Sequence, residues 1–160
     1  MIEDTYKYNS VDVAKYLVAK MNEKKMTVNM TKVQKLLYIC YGVFLAVRKS
    51  RLLNEHPQAW PYGPVFPTVR NKLLSIGNLE MLSTMDACLK DLIDDDDLTS
   101  LIETVLATYG KSTAKSLVIW SHRIDSPWSR TTNMLDFKWG ATIPDEYTYD
   151  YFFHNIIKHE

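Results

Sequence analysis

The stretch from Val33 to Val47 constrains the fold most, because its apolar residues cover nearly every side of a helix. No charged side chain occurs between Leu36 and Val47. A surface helix of a soluble domain keeps a polar face toward water, so this one requires other helices to pack around it. A membrane span would need about 20 apolar residues, and Lys35 and Arg48 lie too close on either side. We therefore predict a buried central helix over about 31–49.

Length and charge limit the fold class and the partners. The chain has 160 residues, of which 46% are hydrophobic, enough for one domain with a real core. We predict a mainly α fold, a single compact helical domain over residues 1–160, and leave open a small β-hairpin. Nineteen basic and nineteen acidic residues balance, which removes the long-range attraction to phosphate that most nucleic-acid and anionic-membrane binders use. We expect neither nucleic acid nor membrane as a partner.

The cysteines and the N-terminus indicate the compartment. Cys40 lies inside the apolar helix and Cys88 in a polar-flanked stretch, so the two do not form a disulfide framework. The first residues lack the basic and apolar regions of a signal peptide. We expect a cytoplasmic protein with reduced thiols.

Capping residues and apolar spacing predict the remaining elements after a polar lead, Met1 to Asn9. Asn29 or Thr31 caps the central helix. The other predicted helices are one from Asn9 or Ser10 to near Lys24, one from Pro67 to a stop at Gly77-Asn78, one over Leu98 to Gly110, one opened by Ser112 or Thr113, a turn at Ser126-Pro127 and a last one opened by Pro144. Residues 139–143 are predicted to be a short extended piece.

Two further stretches have a local interpretation. Residues 79–93 fit either a loose helix or, at their start, a short strand, and both stay open. The run Asp94 to Asp97 precedes a helical stripe, where carboxylates cap free N–H groups and suit the helix dipole. A calcium loop would need spaced ligands, a turn glycine and a distal glutamate, none of which is in register. We interpret the aspartates as a helix cap.

The loop Ala59 to Pro67 allows two interpretations. Its three prolines fix the backbone and donate no hydrogen bond, so it cannot be helix interior. The rings of Trp60, Tyr62 and Phe66 either fold back to cover the central helix or serve as rigid anchors for another protein, which lose little entropy on binding. The residues alone leave both open.

No catalytic, cofactor or metal constellation is present. His56, His122, His154 and His159 are far apart, and there is no H-E-x-x-H or paired C-x-x-C motif. Ser121, His122 and Asp125 have the residue types of a hydrolytic triad, but no G-x-S-x-G elbow accompanies them. We expect His122 and Asp125 to bond to backbone at a helix end, and the protein not to be an enzyme.

Several blocks together are similar to a known family. They are Lys32-Val33-Gln34-Lys35-Leu36-Leu37-Tyr38, then Gly42, the whole loop Ala59 to Pro67, Ser121-His122, Pro127-Trp128 and Ile143-Pro144. In this order the chain resembles the Panacea domain of SocA-like antitoxins and phage-associated proteins. The resemblance implies a mostly helical antitoxin that binds and blocks a cognate toxin encoded beside it, without a cofactor. In the SocA branch it also implies an adaptor that delivers the toxin to a protease, so a protease or chaperone is a further candidate partner.

The resemblance also suggests a partner-binding set, which either meets near the partner surface or only braces the fold: Trp60, Tyr62, Gly63, Pro64, His122 and Trp128. Two rival functions remain. A DNA-binding regulator of its own operon would need a basic recognition helix, and Arg70, Lys72, Lys111 and Lys115 are poor candidates. A small hydrolase would need Ser121, His122 and Asp125 to converge in a cleft. The toxin and the oligomeric state are not specified by the sequence.

Overall fold

The computed structural model describes residues 1–157, so His159 lies outside the described residues. The predicted mainly α fold with a small hairpin is confirmed. The elements in chain order are β1 (Tyr6–Tyr8), α1 (Ser10–Glu23), α2 (Met30–Arg48), β2 (Arg51–Leu53), β3 (Gln58–Trp60), β4 (Gly63–Val65), α3 (Pro67–Ile76), α4 (Lys90–Ile93), α5 (Asp96–Tyr109), α6 (Ala114–Ser121), α7 (Pro127–Thr132) and α8 (Asp145–Asn155).

The central helix α2 begins and ends where local chemistry directs it. The Asn29 side chain accepts a hydrogen bond from the Lys32 amide at 2.9 Å, which caps the first turn. Lys49 takes a left-handed conformation with φ of 58° and ends the helix. By length and composition α2 would pass as a membrane span, but 78% of its most apolar 18-residue window is buried inside the fold. The predicted core helix is thus confirmed to within one residue at each end.

The core forms around α2, which contacts α1, α5, α6 and α8. Tyr38 packs edge-on against Phe152 of α8, with ring centroids 5.7 Å apart, and its hydroxyl bonds to Thr148 at 2.9 Å. The Phe152 ring lies so close to Gly42 that any side chain at position 42 would overlap it. Glycine therefore sets the distance between α2 and α8.

The prediction that α2 is buried on every side is wrong at its C-terminal end. Val43 and Phe44 are half-buried, and Val47 is 57% exposed. Here the helix faces a groove of about 250 Å³ between α2 and α5 instead of another packed helix. The Arg48 guanidinium lies 5.8 Å from the Phe44 ring centroid and bonds to Asp97 of α5 at 3.2 Å, so it bridges this groove.

The polar lead, Met1 to Asn9, contains a short strand that the sequence analysis did not predict. Residues 6–8 form β1, which pairs in parallel with β2, and Tyr6 lies opposite Arg51. Because β2 lies far along the chain from β1, no local sequence pattern predicts that the two strands pair. The Tyr8 hydroxyl donates to Asp95 at 2.5 Å and ties this edge to α5.

The proline loop forms an antiparallel hairpin, β3 and β4, with Trp60 opposite Gly63. The predicted extended piece near residue 140 lies alongside β3. The Ala59 amide donates to the Ala141 carbonyl at 2.8 Å, and the Gly140 amide donates to the Ala59 carbonyl at 2.9 Å. The hairpin is therefore held from its outer side as well as by its own ladder.

Most of the other predicted boundaries are confirmed, because the capping residues act as expected. Asn9, Asp95, Thr113 and Ser126 each accept a hydrogen bond from an amide in the first turn of the following helix. Asp95 is the N-cap of α5, and residues 1–157 contain no group of three potential metal ligands. The open stretch 79–93 contains neither a long helix nor a strand but two 3-10 turns followed by α4.

Candidate partner-binding face

The turn of the hairpin can take its shape only with glycine at position 63. Gly63 has a φ of +110°, which L side chains rarely adopt. A Cβ atom there would lie 2.5 Å from Ser121 Oγ and 2.6 Å from Lys35 Cε. The backbone of β4 thus lies directly against α2 and the end of α6.

Lys35 connects the central helix to this hairpin. Its Nζ donates to the Pro64 carbonyl at 2.9 Å, and the residue is 1% exposed. No carboxylate in the described part of the chain lies within salt-bridge distance of it, and burial lowers the pKa of the amine to about 7. The amine therefore exchanges its proton near neutral pH while it holds the hairpin.

Gln34 makes a second connection one residue earlier. Its side-chain amide donates to the Phe66 carbonyl at 3.3 Å, and its Oε1 accepts from the Phe66 amide at 2.8 Å. Since both residues are buried, Gln34 Oε1 satisfies a Phe66 amide that would otherwise be unpaired, and the Gln34 amide adds to the bond that the Phe66 carbonyl accepts from the Arg70 amide at 3.0 Å. The amide side chain fixes where β4 leaves the hairpin and α3 begins.

His122 and Trp128 hold the other side of the hairpin. Their rings stack with centroids 3.8 Å apart and an interplanar angle of 16°. The Trp128 indole N–H donates to the Trp60 carbonyl at 2.8 Å. Burial, and then the positive charge of Lys35, lower the pKa of His122 below its ordinary value, while a hydrogen bond to the Pro61 backbone opposes both. His122 is thus favoured in its neutral form, as a stacked bracing ring.

Tyr62 differs from the other five predicted site residues. It lies at the hairpin turn and is 72% exposed, whereas Gly63 and Pro64 are buried and Trp60 is half-buried. The Arg70 guanidinium of α3 lies 5.2 Å from the centroid of the Trp60 ring, close enough for a cation–π contact. The set therefore combines a rigid base with one aromatic side chain presented to solvent.

A cavity of about 280 Å³, which we call the hairpin cavity, lies beside Tyr62 between the hairpin and the first turns of α2. Its walls include Thr31 and Gln34 of α2, Trp60 and Tyr62 of the hairpin, and Arg70 of α3. Sequence reasoning did not select Gln34, Lys35 or Arg70 for this face. A usable signal was present in the two polar side chains, Gln34 and Lys35, at the start of a helix that has to be buried.

The hydrolytic set does not assemble in a cleft. Ser121 is 3% exposed, and its hydroxyl donates to the Val118 carbonyl at 2.8 Å. The His122 ring is stacked on Trp128, and Asp125 is exposed in a left-handed turn with φ of 68°. Cys40 is fully buried, which raises the pKa of its thiol to about 12, far from that of a nucleophilic thiolate.

Comparison with known proteins identifies the family. A family model described as "Antitoxin SocA-like, Panacea domain" matches residues 33–129, more than half of the chain. A curated protein named Antitoxin SocA, from Caulobacter vibrioides, is 29% identical over 143 residues, which cover 83% of this chain and 75% of that protein. No solved structure matches the chain. The matched range includes α2 from Val33 onward, the hairpin, His122 and Trp128, and the chain belongs to the SocA-like antitoxin family with its Panacea domain.

Proposed function

We propose that this chain neutralises a toxin encoded beside it by direct contact, and that the hairpin face is the contact surface. Membership in the SocA-like antitoxin family supplies the antitoxin role and, in general terms, a cognate toxin as partner. The observation that supports this particular surface is the exposed ring of Tyr62 on a turn whose flanks are fixed by buried contacts.

A braced turn suits binding for an energetic reason. Ordering a loop and its side chains on association consumes part of the interaction energy, so a turn that is already fixed keeps more of it for affinity. Lys35 fixes the Pro64 carbonyl and Trp128 fixes the Trp60 carbonyl, on the two strands that flank Tyr62. Tyrosine is also among the residues most enriched at energetically important interface positions.

The experiment is co-expression with the product of the neighbouring gene, scored by growth, together with a pull-down of that product. The variant Tyr62→Ala should lose growth rescue and weaken binding roughly thirtyfold, the effect of an interface residue worth about 2 kcal/mol. Its thermal melting should not change, because the ring is mostly in solvent.

Met85→Ala is the matched control, since Met85 is an 89% exposed apolar residue outside the hairpin. It should rescue growth as the unaltered chain does. Trp128→Phe tests the bracing separately: loss of the indole donor to the Trp60 carbonyl should lower melting and binding together. The proposal fails if the unaltered chain rescues no neighbouring toxin, or if Tyr62→Ala binds the toxin as tightly as the unaltered chain.

A further inference from the structure

We propose that the hairpin cavity receives one apolar side chain of the partner protein, and that the residues flanking this side chain carry carboxylates. The inference rests on the proposed function and names the chemistry of the partner segment. It is carried by the volume of the cavity, by the charges in its wall and by the exposed ring at its rim.

The volume and the lining suit a single side chain. At about 280 Å³ the cavity lies just below the ~300 Å³ at which pockets for small-molecule ligands usually begin. Its wall is predominantly apolar, with contributions from the rings of Trp60 and Tyr62, from Met30 and from Val65. A large aliphatic or aromatic side chain would exclude water from these surfaces and gain free energy by doing so.

The charges specify the flanking residues of the partner. The charged residues in the wall are Lys35 and Arg70, and no aspartate or glutamate accompanies them. No carboxylate in residues 1–157 lies within salt-bridge distance of either one. Glu55, next to the start of α3, already accepts from the amides of Thr68 and Val69. Because the Lys35 amine is buried against the Pro64 carbonyl, Arg70 is the cation that the rim presents, and it lacks a counter-charge that a partner carboxylate would supply.

Arg70 is well placed to discriminate between partners. Its guanidinium is half-buried over the Trp60 ring, so it is already oriented before the partner binds. A basic partner segment would bring like charges together there and be rejected, whereas an acidic one would pair with it. Tyr62 stands at the same rim and can contact the backbone on either side of the inserted side chain.

The first test uses three blocked pentapeptides of defined sequence as probes: Glu-Asp-Phe-Asp-Glu, Lys-Lys-Phe-Lys-Lys and Glu-Asp-Ser-Asp-Glu. Binding is followed by the NMR shift of the Trp60 indole N–H in the full chain. The indole of Trp120 serves as internal control, because it packs against Tyr109, Tyr151 and Phe152. We expect a saturable shift of Trp60 with the acidic phenylalanine peptide, and at least tenfold weaker binding of the other two. Binding of either other probe as tightly as the first, or no saturable shift with the first, overturns the inference.

Two variants extend the test to the toxin itself. Thr31→Trp fills the cavity from the first turn of α2 and should abolish both the peptide shift and growth rescue. Arg70→Glu should transfer the preference to the basic phenylalanine peptide, and it keeps the test decisive if Thr31→Trp melts below the unaltered chain. If the unaltered chain and both variants neutralise the toxin equally, the inference falls and the proposed function stands. If the unaltered chain neutralises no toxin, the proposed function falls, whatever the peptides show.

Discussion

Lys35 provides a sharp test of how the hairpin is held, because its amine is sealed inside the domain with one hydrogen-bond partner. Burial lowers its pKa from the ordinary value of 10.5 to about 7. Between these two pH values the unfolded chain binds more protons than the native protein, so the free energy of unfolding rises with pH. Below pH 7 the amine is protonated in both states, so the native state is destabilised by the full free energy of burying the charge.

The size of the effect follows from the two pKa values. A difference of about 3.5 units corresponds to about 5 kcal/mol over the whole window, since one unit is about 1.4 kcal/mol. From about pH 7 to about pH 8.5 the rise is about 1.5 kcal/mol, because the native amine goes from half protonated to almost neutral. Above pH 9 the buried Cys40 acts in the opposite direction: its raised pKa keeps the native thiol protonated while the unfolded thiol ionises. The narrower interval therefore avoids Cys40, and within it Lys35 contributes more than Lys32, whose pKa burial also lowers.

The assay is urea unfolding followed by tryptophan fluorescence at several pH values in this interval. The variant Lys35→Met removes the amine and keeps an unbranched side chain. Its free energy of unfolding should hardly rise over this interval. At pH 7 this variant should be more stable than the unaltered chain, because removing a buried charge gains more free energy than is lost by leaving the Pro64 carbonyl unpaired, which costs about 1–3 kcal/mol. Lys32→Met is the matched control, another nearly buried lysine of α2 whose pKa burial also lowers, and it should retain most of the rise. A rise in Lys35→Met equal to that of the unaltered chain would refute the reasoning.

Three further substitutions test the frame around the hairpin, each by urea unfolding. Gln34→Leu leaves the buried amide of Phe66 unpaired, while the Phe66 carbonyl keeps its bond from the Arg70 amide, so it should cost about 1–3 kcal/mol. Gly42→Ala drives a methyl group into the Phe152 ring and should cost about 1–3 kcal/mol by overpacking. Asp95→Ala removes the N-cap of α5 and should cost about 0.5–2 kcal/mol, whereas Asp95→Asn should retain most of the cap. A loss below about 0.5 kcal/mol for Gln34→Leu, Gly42→Ala or Asp95→Ala would contradict the contacts described.

The helices were predictable because their signals are local. Asn9, Asn29 and Thr113 cap helices whose apolar stripes begin within a few residues, so spacing and capping mark the same boundary. The pairing of β1 with β2 was not predictable, because strands of three residues carry little pattern and their partner lies far along the chain. The exposure of α2 near Val47 was not predicted for a related reason. An apolar sequence shows that one side of a helix can be buried, but it does not show that another element is present to cover that side.

The resemblance grouped residues that the structure brings together, but it did not predict how they are arranged, and their role in partner binding stays a prediction. The family resemblance selected Trp60, His122 and Trp128 together, and the structure joins them through one stack and one hydrogen bond. It did not distinguish Tyr62 as the exposed member, since exposure depends on how the hairpin lies against α2. The sequence analysis treated Lys35 only as a charge at the N-terminal end of the apolar stretch of α2. Its burial is visible only once its hydrogen bond to the Pro64 carbonyl is known.

The residues of the hairpin face therefore fall into two groups, according to whether they point inward or toward solvent. Lys35, Gly63 and Trp128 are packed inward or donate hydrogen bonds to backbone carbonyls. They fix the shape of the hairpin, so few substitutions should be tolerated at these positions. Tyr62 and Arg70 lie at the rim, where a substitution alters a surface without leaving a buried group unpaired. Under the proposed function, such a domain would change its partner through the rim while the frame stays constant. Exchanging rim residues should accordingly alter which toxin is bound far more than it alters melting, whereas exchanging frame residues should lower both together.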